Sequence, residues 1–192
     1  MYTEYKPKWT YIFIILSISV YLLIRTTHTW IYLAFTPALI TRYPWTIITS
    51  IFLHLDLNHL LFNMFALFFF GTVLETRISQ NLFATLFITS GVIGNLGHYY
   101  TAGTQLIPVL GASGAIYGVI GALAVLEPFR LVYFTGMVPL PMILAAALWA
   151  LSDLAGLFTP SQIAHNVHLV GMLIGVLTGV YLRHVEKIEF DH

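Results

Sequence analysis

Charged residues are scarce in this chain: 8% of its 192 residues are Asp, Glu, Lys or Arg, whereas 58% are hydrophobic. A soluble domain carries about a quarter charged residues, because its surface must be hydrated. So little charge predicts that most of the exterior faces lipid. The formal net charge is zero. A basic excess is therefore missing, and nothing indicates a nucleic-acid partner.

Cysteine is absent, which excludes a disulfide framework, a cysteine nucleophile and a thiolate metal site. The first hydrophobic stretch, from Trp9 to Ile24, also lacks a small-x-small cleavage site after it. It is followed instead by Arg25 and polar residues. We therefore interpret this stretch as an uncleaved first membrane span that also targets the chain.

Apolar stretches recur along the chain, and most approach the ~20 residues that a helix needs to cross a bilayer. Strand-like alternation is lacking, and backbone in lipid must satisfy its own hydrogen bonds, so the spans are predicted to be helices. The expected fold is an all-α, polytopic membrane protein with a single six-helix domain over residues 1–192. The predicted spans are residues 9–26, 58–76, 81–100, 111–127, 137–157 and 166–184.

Basic residues are distributed unevenly between the predicted loops. If the N-terminus is cytoplasmic, only Arg25 and Arg42 lie outside. The basic residues inside are then Lys6, Lys8, Arg77, Arg130, Arg183 and Lys187. The positive-inside rule favours this orientation, with both termini cytoplasmic. We expect a multi-pass integral protein, and we assign it to the cell membrane of a prokaryote.

Polar side chains at the starts of the second, fourth and sixth spans are candidates for function, because polar groups inside a membrane are costly. These three spans run in the same direction, so their starts share one side and one depth. His59 and Asn63 lie one helical turn apart in the second span. Ser113 opens the fourth span and His168 the sixth. The four side chains are predicted to converge beneath the outer surface.

The chemistry of these residue types points to a nucleophile and its base. A serine hydroxyl becomes nucleophilic when an imidazole accepts its proton, and Ser113 with His168 is predicted to form this catalytic pair. His59 and Asn63, together with a backbone N–H at the start of the fourth helix, are predicted to stabilise an oxyanion. Tyr117, one turn below Ser113, is predicted to stack on the His168 ring and orient it.

No acidic residue has an obvious place behind His168, so the prediction is a Ser–His dyad. Asp153, the acid near the outer half of the fifth span, is the alternative third member. A metal site is an alternative, because His165 and His168 have helical spacing and imidazole is a common zinc ligand. With no H-E-x-x-H motif, no adjacent carboxylate and no cysteine, no metal is predicted.

Glycines beside the candidate residues are predicted to let the fourth and sixth helices pack closely. They are Gly111, Gly114, Gly118, Gly171 and Gly175. A purely structural alternative exists for the polar residues as well. Ser113 would then be one more small packing residue, and His59 with Asn63 would join helices by hydrogen bonds.

Four segments resemble motifs of the rhomboid family of intramembrane serine proteases. In chain order they are His59-x-x-x-Asn63, Glu75-Thr76-Arg77, Gly111-Ala112-Ser113-Gly114, and His168 with Gly171 and Gly175. The third resembles the family's GxSG nucleophile motif and the fourth its catalytic-histidine helix. Glu75 lies ~24 Å along the helix from His59 at 1.5 Å per residue, so it is predicted to be structural. The resemblance runs from about Trp45 to Gly179.

The resemblance implies a six-helix rhomboid core that hydrolyses a peptide bond in or near a substrate's transmembrane segment. It implies a Ser–His dyad, no cofactor, and transmembrane protein substrates and the bilayer as partners. It also implies that the first loop, from Thr26 to about Leu57, lies partly in the membrane. The fifth helix or a loop cap is implied to gate substrate entry. One departure concerns the first loop, where many relatives have Trp-Arg and this chain has Trp45-Thr46.

Two other functions stay open on the sequence. The first is a catalytically silent rhomboid-like protein that binds transmembrane segments, and retention of both Ser113 and His168 argues against it. The second is a small membrane transporter with a polar site at mid-membrane. Inverted repeats are typical of transporters, and the sequence has no such internal symmetry.

Overall fold

Six long helices follow one another in the computed structural model, which describes residues 6–24, 27–102, 106–134, 138–159, 161 and 163–184. They are α1 (Trp9–Ile24), α2 (Leu57–Arg77), α3 (Gln80–Ala102), α4 (Ser113–Leu126), α5 (Met142–Gly156) and α6 (His165–His184). Within α2, the segment Leu67–Gly71 is π-helical. The end of the predicted first span at residues 25–26 lies outside the described residues. So do Arg25 and Lys187, two of the basic residues from which the membrane orientation is predicted.

A small antiparallel hairpin precedes α5, and the all-α prediction did not include it. Strand β1 (Leu131–Phe134) pairs with β2 (Val138–Pro141), with Leu131 opposite Pro141. The fifth helix was predicted from residue 137, which lies outside the described residues, but it begins at Met142. Hydropathy alone could not reveal this boundary, because β2 is as apolar as the helix that follows it.

Large apolar side chains cover the outside of the bundle, while several polar side chains lie inside it. Leu23 and Phe62 are 74% and 77% exposed, whereas Glu75 and Asp153 are 0% and 4% exposed. An exposed apolar surface this extensive indicates contact with lipid or with another protein. The exterior therefore fits a bilayer better than water.

Helix length and hydropathy differ among the six helices. Among the described residues, α2 and α6 are long and apolar enough to cross a membrane. Helices α1, α4 and α5 are apolar but shorter, and α3 is long but of lower mean hydropathy. Six membrane crossings therefore stay a prediction.

Helix α4 lies at the centre of the bundle, between α3 and α6. A Cβ atom on Gly118 would lie 2.1 Å from Ser90 Oγ of α3. A Cβ atom on Gly175 of α6 would lie 1.9 Å from the Gly118 carbonyl oxygen. Since neither position has room for a methyl group, the glycines let α4 lie this close to the Ser90 side chain of α3 and to the backbone of α6.

Two acidic residues join helices at the end of the bundle opposite Ser113. The buried Glu75 carboxylate accepts hydrogen bonds from the backbone N–H groups of Lys8, Trp9 and Thr10 at 2.9, 2.7 and 2.8 Å. These amides begin α1 and have no acceptor within the helix, so Glu75 caps α1 and fixes it to α2. Glu127, just after α4, pairs with Arg77 at 2.9 Å.

Candidate active site

Ser113 is the first residue of α4, and the segment leading to it is held by the first loop. Gly111 has φ +125°, a conformation that glycine adopts readily. Its N–H donates to the Ser50 carbonyl at 2.9 Å. Phe35 and Val109 exchange both backbone hydrogen bonds, at 3.0 and 2.7 Å. Backbone hydrogen bonds from two points of the loop therefore fix the approach to Ser113.

The structure brings Ser113 and His168 together across 55 positions of sequence. The distance from His168 Nε2 to Ser113 Oγ is 2.7 Å, and both side chains are partly buried. This contact depends on close packing of α4 and α6. A Cβ atom on Gly171 would lie 2.1 Å from the Gly114 carbonyl oxygen. Of the glycines predicted to pack near the site, Gly114, Gly118, Gly171 and Gly175 lie where the two helices touch, whereas Gly111 lies against His59 of α2.

The ring of Tyr117 stacks on the imidazole of His168. Their centroids are 4.4 Å apart and the planes differ by 14°. Tyr117 follows Ser113 by one turn of α4, so the same helix carries the hydroxyl and the surface against which the imidazole rests. Stacking on one face restricts rotation of the imidazole.

An acidic residue does lie behind His168, and the prediction that none would do so is wrong. Asp153 of α5 places Oδ1 3.0 Å from His168 Nδ1 and 2.6 Å from His165 Nδ1. Sequence reasoning named Asp153 only as an alternative third member. The contact depends on the relative depth of α5 and α6, and hydropathy does not show that depth.

Asp153, His165 and His168 also form a group of side chains able to ligate a metal, with ligand atoms within 4.8 Å of one another. The prediction of no metal relied on there being no carboxylate beside the two histidines, and Asp153 supplies one. The two nitrogen–oxygen distances, 2.6 and 3.0 Å, are those of hydrogen bonds. His165 Nε2 lies 3.1 Å from Ser161 Oγ. A hydrogen-bond network accounts for these separations.

His59 and Asn63 of α2 lie against the loop that carries the nucleophile. A Cβ atom on Gly111 would lie 2.7 Å from His59 Nε2 and 3.8 Å from Asn63 Nδ2. His59 Nδ1 accepts a hydrogen bond from the Leu55 N–H at 3.4 Å. A neutral imidazole that accepts at Nδ1 carries its proton on Nε2. Two N–H donors therefore face the space beside Gly111, two residues before Ser113.

His54 packs beneath this pair and was not singled out as a site residue. It is 7% exposed, and its ring centroid lies 5.1 Å from that of His59. Burial, helped by the neighbouring His59, lowers the pKa of His54 to about 3. The imidazole is therefore neutral at neutral pH. It supports the His59 ring without adding a positive charge beside it.

The first loop is held together without an arginine at position 46. The Thr46 hydroxyl, in a buried side chain, donates to the Tyr43 carbonyl at 2.6 Å. Trp45 Nε1 donates to the Tyr32 carbonyl at 2.9 Å. The Arg42 guanidinium lies 5.3 Å from the centroid of the Tyr43 ring. Hydrogen bonds within the first loop thus fix Thr46, at the position where relatives often carry Arg.

Comparison with known proteins identifies related sequences. Residues 41–185 match the Rhomboid domain. The chain is 41% identical over 86 residues to "Putative rhomboid protease YdcA" of Bacillus subtilis, covering 45% of the chain and 43% of that protein. "Rhomboid protease GluP" of the same species is 34% identical over 126 residues, covering 62% of the chain and 24% of that protein. "Rhomboid protein 1, mitochondrial" of Saccharomyces cerevisiae is 35% identical over 151 residues, covering 74% of the chain and 43% of that protein. In each case the match spans less than half of the relative's length.

Proposed function

Because the chain belongs to the rhomboid family, we propose that it is an intramembrane serine endopeptidase that cleaves peptide bonds in or near transmembrane segments. The observation that carries this proposal is the 2.7 Å contact between Ser113 Oγ and His168 Nε2 in a bundle with an apolar exterior. Relatives named as rhomboid proteases support the same reaction class.

In the proposed acylation step, the Ser113 oxygen attacks the carbonyl carbon of the scissile peptide. His168 Nε2 takes the hydroxyl proton as general base and then gives it to the departing amine. The C–N bond breaks and an ester to Ser113 remains. A water molecule, deprotonated by the same nitrogen, then attacks this ester, releases the new carboxylate and restores the serine.

The negative charge of the tetrahedral intermediate needs donors that are already in place. His59 Nε2 and Asn63 Nδ2 face the loop before Ser113 and are proposed as two of them. The first amides of α4 are further donors, since the first N–H groups of a helix have no acceptor within it. Preorganised donors of this kind stabilise developing charge without reorganisation during the reaction.

The protein is membrane-embedded, as its family is, and the finer topology is part of the proposal. We propose six crossings with both termini on the cytoplasmic side, which places Ser113 and His168 toward the outer surface. The basic residues near the inner loops support this orientation. The prokaryotic cell membrane stays a prediction, since the relatives include bacterial and mitochondrial proteins.

The proposal is tested by reconstituting the protein in liposomes with a single-pass membrane protein and following cleavage. Ser113→Ala and His168→Ala should each lower the rate by about 10⁴-fold or more, because nucleophile and base act as a unit. Ser17→Ala, which removes the hydroxyl of a buried serine on α1, is the matched control.

The wild type and the Ser17→Ala control should cleave at the same rate. Cleavage by folded Ser113→Ala at that rate would exclude the serine mechanism. A folded wild type that binds the substrate and never cleaves it would instead indicate a silent member of the family that binds transmembrane segments.

A further inference from the structure

We propose that Asp153 is a positioning residue that holds His168 in the tautomer and orientation required of a base for Ser113. The inference rests on the proposed protease function and adds a third member to the predicted dyad. Its basis is the 3.0 Å contact between Asp153 Oδ1 and His168 Nδ1, on the side of the ring opposite Ser113.

The tautomer of His168 follows from the chemistry of its two neighbours. An ionised carboxylate only accepts hydrogen bonds, so the nitrogen facing Asp153 must carry a proton. In a neutral imidazole the other nitrogen, Nε2, is then a lone-pair acceptor. That nitrogen lies 2.7 Å from Ser113 Oγ. The proton on Nδ1 thus leaves Nε2 free to take the serine proton.

His165 holds the carboxylate in place. Its Nδ1 lies 2.6 Å from the same Asp153 oxygen, and its Nε2 lies 3.1 Å from Ser161 Oγ. With the same tautomer as His168, His165 donates to Asp153 and accepts from the serine hydroxyl. The Asp153 side chain is 6% exposed, so these imidazole donors replace water at Oδ1, the carboxylate oxygen that they share.

Other polar groups around His168 do not fill this role. Tyr117 lies over one face of the ring, where it restricts tilt but forms no bond to Nδ1. His59 faces the nucleophile loop and interacts with His168 only through space. Asp153 is therefore the one acceptor at Nδ1 among the residues that the structure describes.

The kinetic test compares wild type, Asp153→Asn and Ser152→Ala on the same membrane substrate in liposomes. Asp153→Asn should lower kcat by about tenfold or more with little change in KM, because the wrong tautomer impairs proton transfer and leaves binding intact. Ser152→Ala alters the exposed neighbour of Asp153 on α5 and should match the wild type. A folded Asp153→Asn variant with kcat less than about tenfold below wild type would overturn the inference.

A second measurement does not depend on the folding of the Asp153→Asn variant. The ¹⁵N chemical shifts of histidine-labelled wild type report which nitrogen of each imidazole carries the proton. For His168, assigned by its loss in His168→Ala, we expect the proton on Nδ1. A proton on Nε2 in the neutral ring would overturn the inference.

A divalent cation shared by Asp153, His165 and His168 is the competing explanation, and a chelator separates the two. The wild type should keep its activity in EDTA, and activity that is lost there and restored by Zn²⁺ would overturn the hydrogen-bond assignment.

Failure of the proposed function would look different, because the folded wild type itself would not cleave the substrate. An active wild type with an equally active Asp153→Asn variant contradicts only the role of Asp153.

Discussion

Helices α4 and α5 both contribute to the candidate site, but they are packed very differently. Eleven of the fourteen residues of α4 are buried, compared with four of the fifteen residues of α5. Backbone atoms of α4 touch α6 at glycines, whereas α5 exposes leucines such as Leu151 and Leu154. Helix α4 is a core element, and α5 lies at the edge of the bundle.

The difference in packing places the proposed catalytic pair in the core of the bundle and the proposed route of substrate entry at its edge. Ser113 and His168 both belong to the tightly packed α4–α6 pair, and α5 adds the Asp153 contact behind His168. Phe70 of α2 and Trp149 of α5 are in aromatic contact, with ring centroids 5.7 Å apart. We propose that a substrate helix enters where α2 and α5 separate, and that α5 then returns Asp153 to His168.

Disturbing the α4–α6 contact should have a large effect on the cleavage rate. Gly171→Ala places a methyl group 2.1 Å from the Gly114 carbonyl oxygen, so the helices must separate. A displacement of ~1 Å can cost ~10²-fold in rate. The cleavage rate per folded protein should fall by about that factor.

Gly97→Ala is the matched control, because the atoms nearest to its Cβ would be side-chain atoms of Val170, the first at 2.9 Å. It should keep most of the activity. Full activity of folded Gly171→Ala would show that this interface does not set the distance between Ser113 and His168.

Removing an oxyanion donor should also have a large effect. His59→Ala or Asn63→Ala is expected to lower kcat by ~10²–10³-fold, the usual loss for one such donor. Asn58→Ala, at an exposed position one residue before His59, provides the control and should match the wild type. If both His59→Ala and Asn63→Ala kept full kcat, these residues would be assigned to helix packing alone.

Tethering α5 should give a smaller effect and tests the peripheral role of this helix. The chain has no cysteine, so Phe70→Cys and Trp149→Cys can be joined by a bifunctional thiol reagent. Cross-linking should slow cleavage of a membrane substrate several-fold, because opening between α2 and α5 is blocked. The single-cysteine variants, treated in the same way, control for modification. An unchanged rate after complete cross-linking would contradict entry by this route.

Two further cysteines test orientation and should leave activity unchanged. Thr29→Cys and Ser79→Cys lie at exposed positions at opposite ends of the bundle. A membrane-impermeant thiol reagent should label the first from outside intact cells and the second only after permeabilisation. The reverse pattern would invert the proposed topology without changing the helix bundle.

Much of the bundle could be predicted because a helix that crosses a bilayer needs a long apolar run of sequence. The apolar runs located α1, α2, α3, α4 and α6 to within about two residues of the ends that the structure describes. The start of α5 could not be found in this way. The strand Val138–Pro141 and the helix after it form one apolar run, and strand pairing depends on contacts that hydropathy does not record.

Some residues of the candidate site could likewise be placed from the sequence, and others could not. Ser113 and His168 could be paired because both stand at the starts of parallel helices, next to glycines that allow close approach. Tyr117 could be placed by helical periodicity alone. Asp153 could not, because its distance from His168 depends on how the chain turns between α5 and α6. The hydrogen bonds of Thr46 likewise depend on irregular backbone.

The most direct test of the account is covalent labelling of the nucleophile. The reconstituted protein is treated with a fluorophosphonate, digested and analysed by mass spectrometry. The account predicts one phosphonyl adduct, on Ser113, formed by the wild type and the Ser17→Ala control and lost in His168→Ala. An adduct on another serine, or equal labelling of Ser113 without His168, would contradict the proposed catalytic pair.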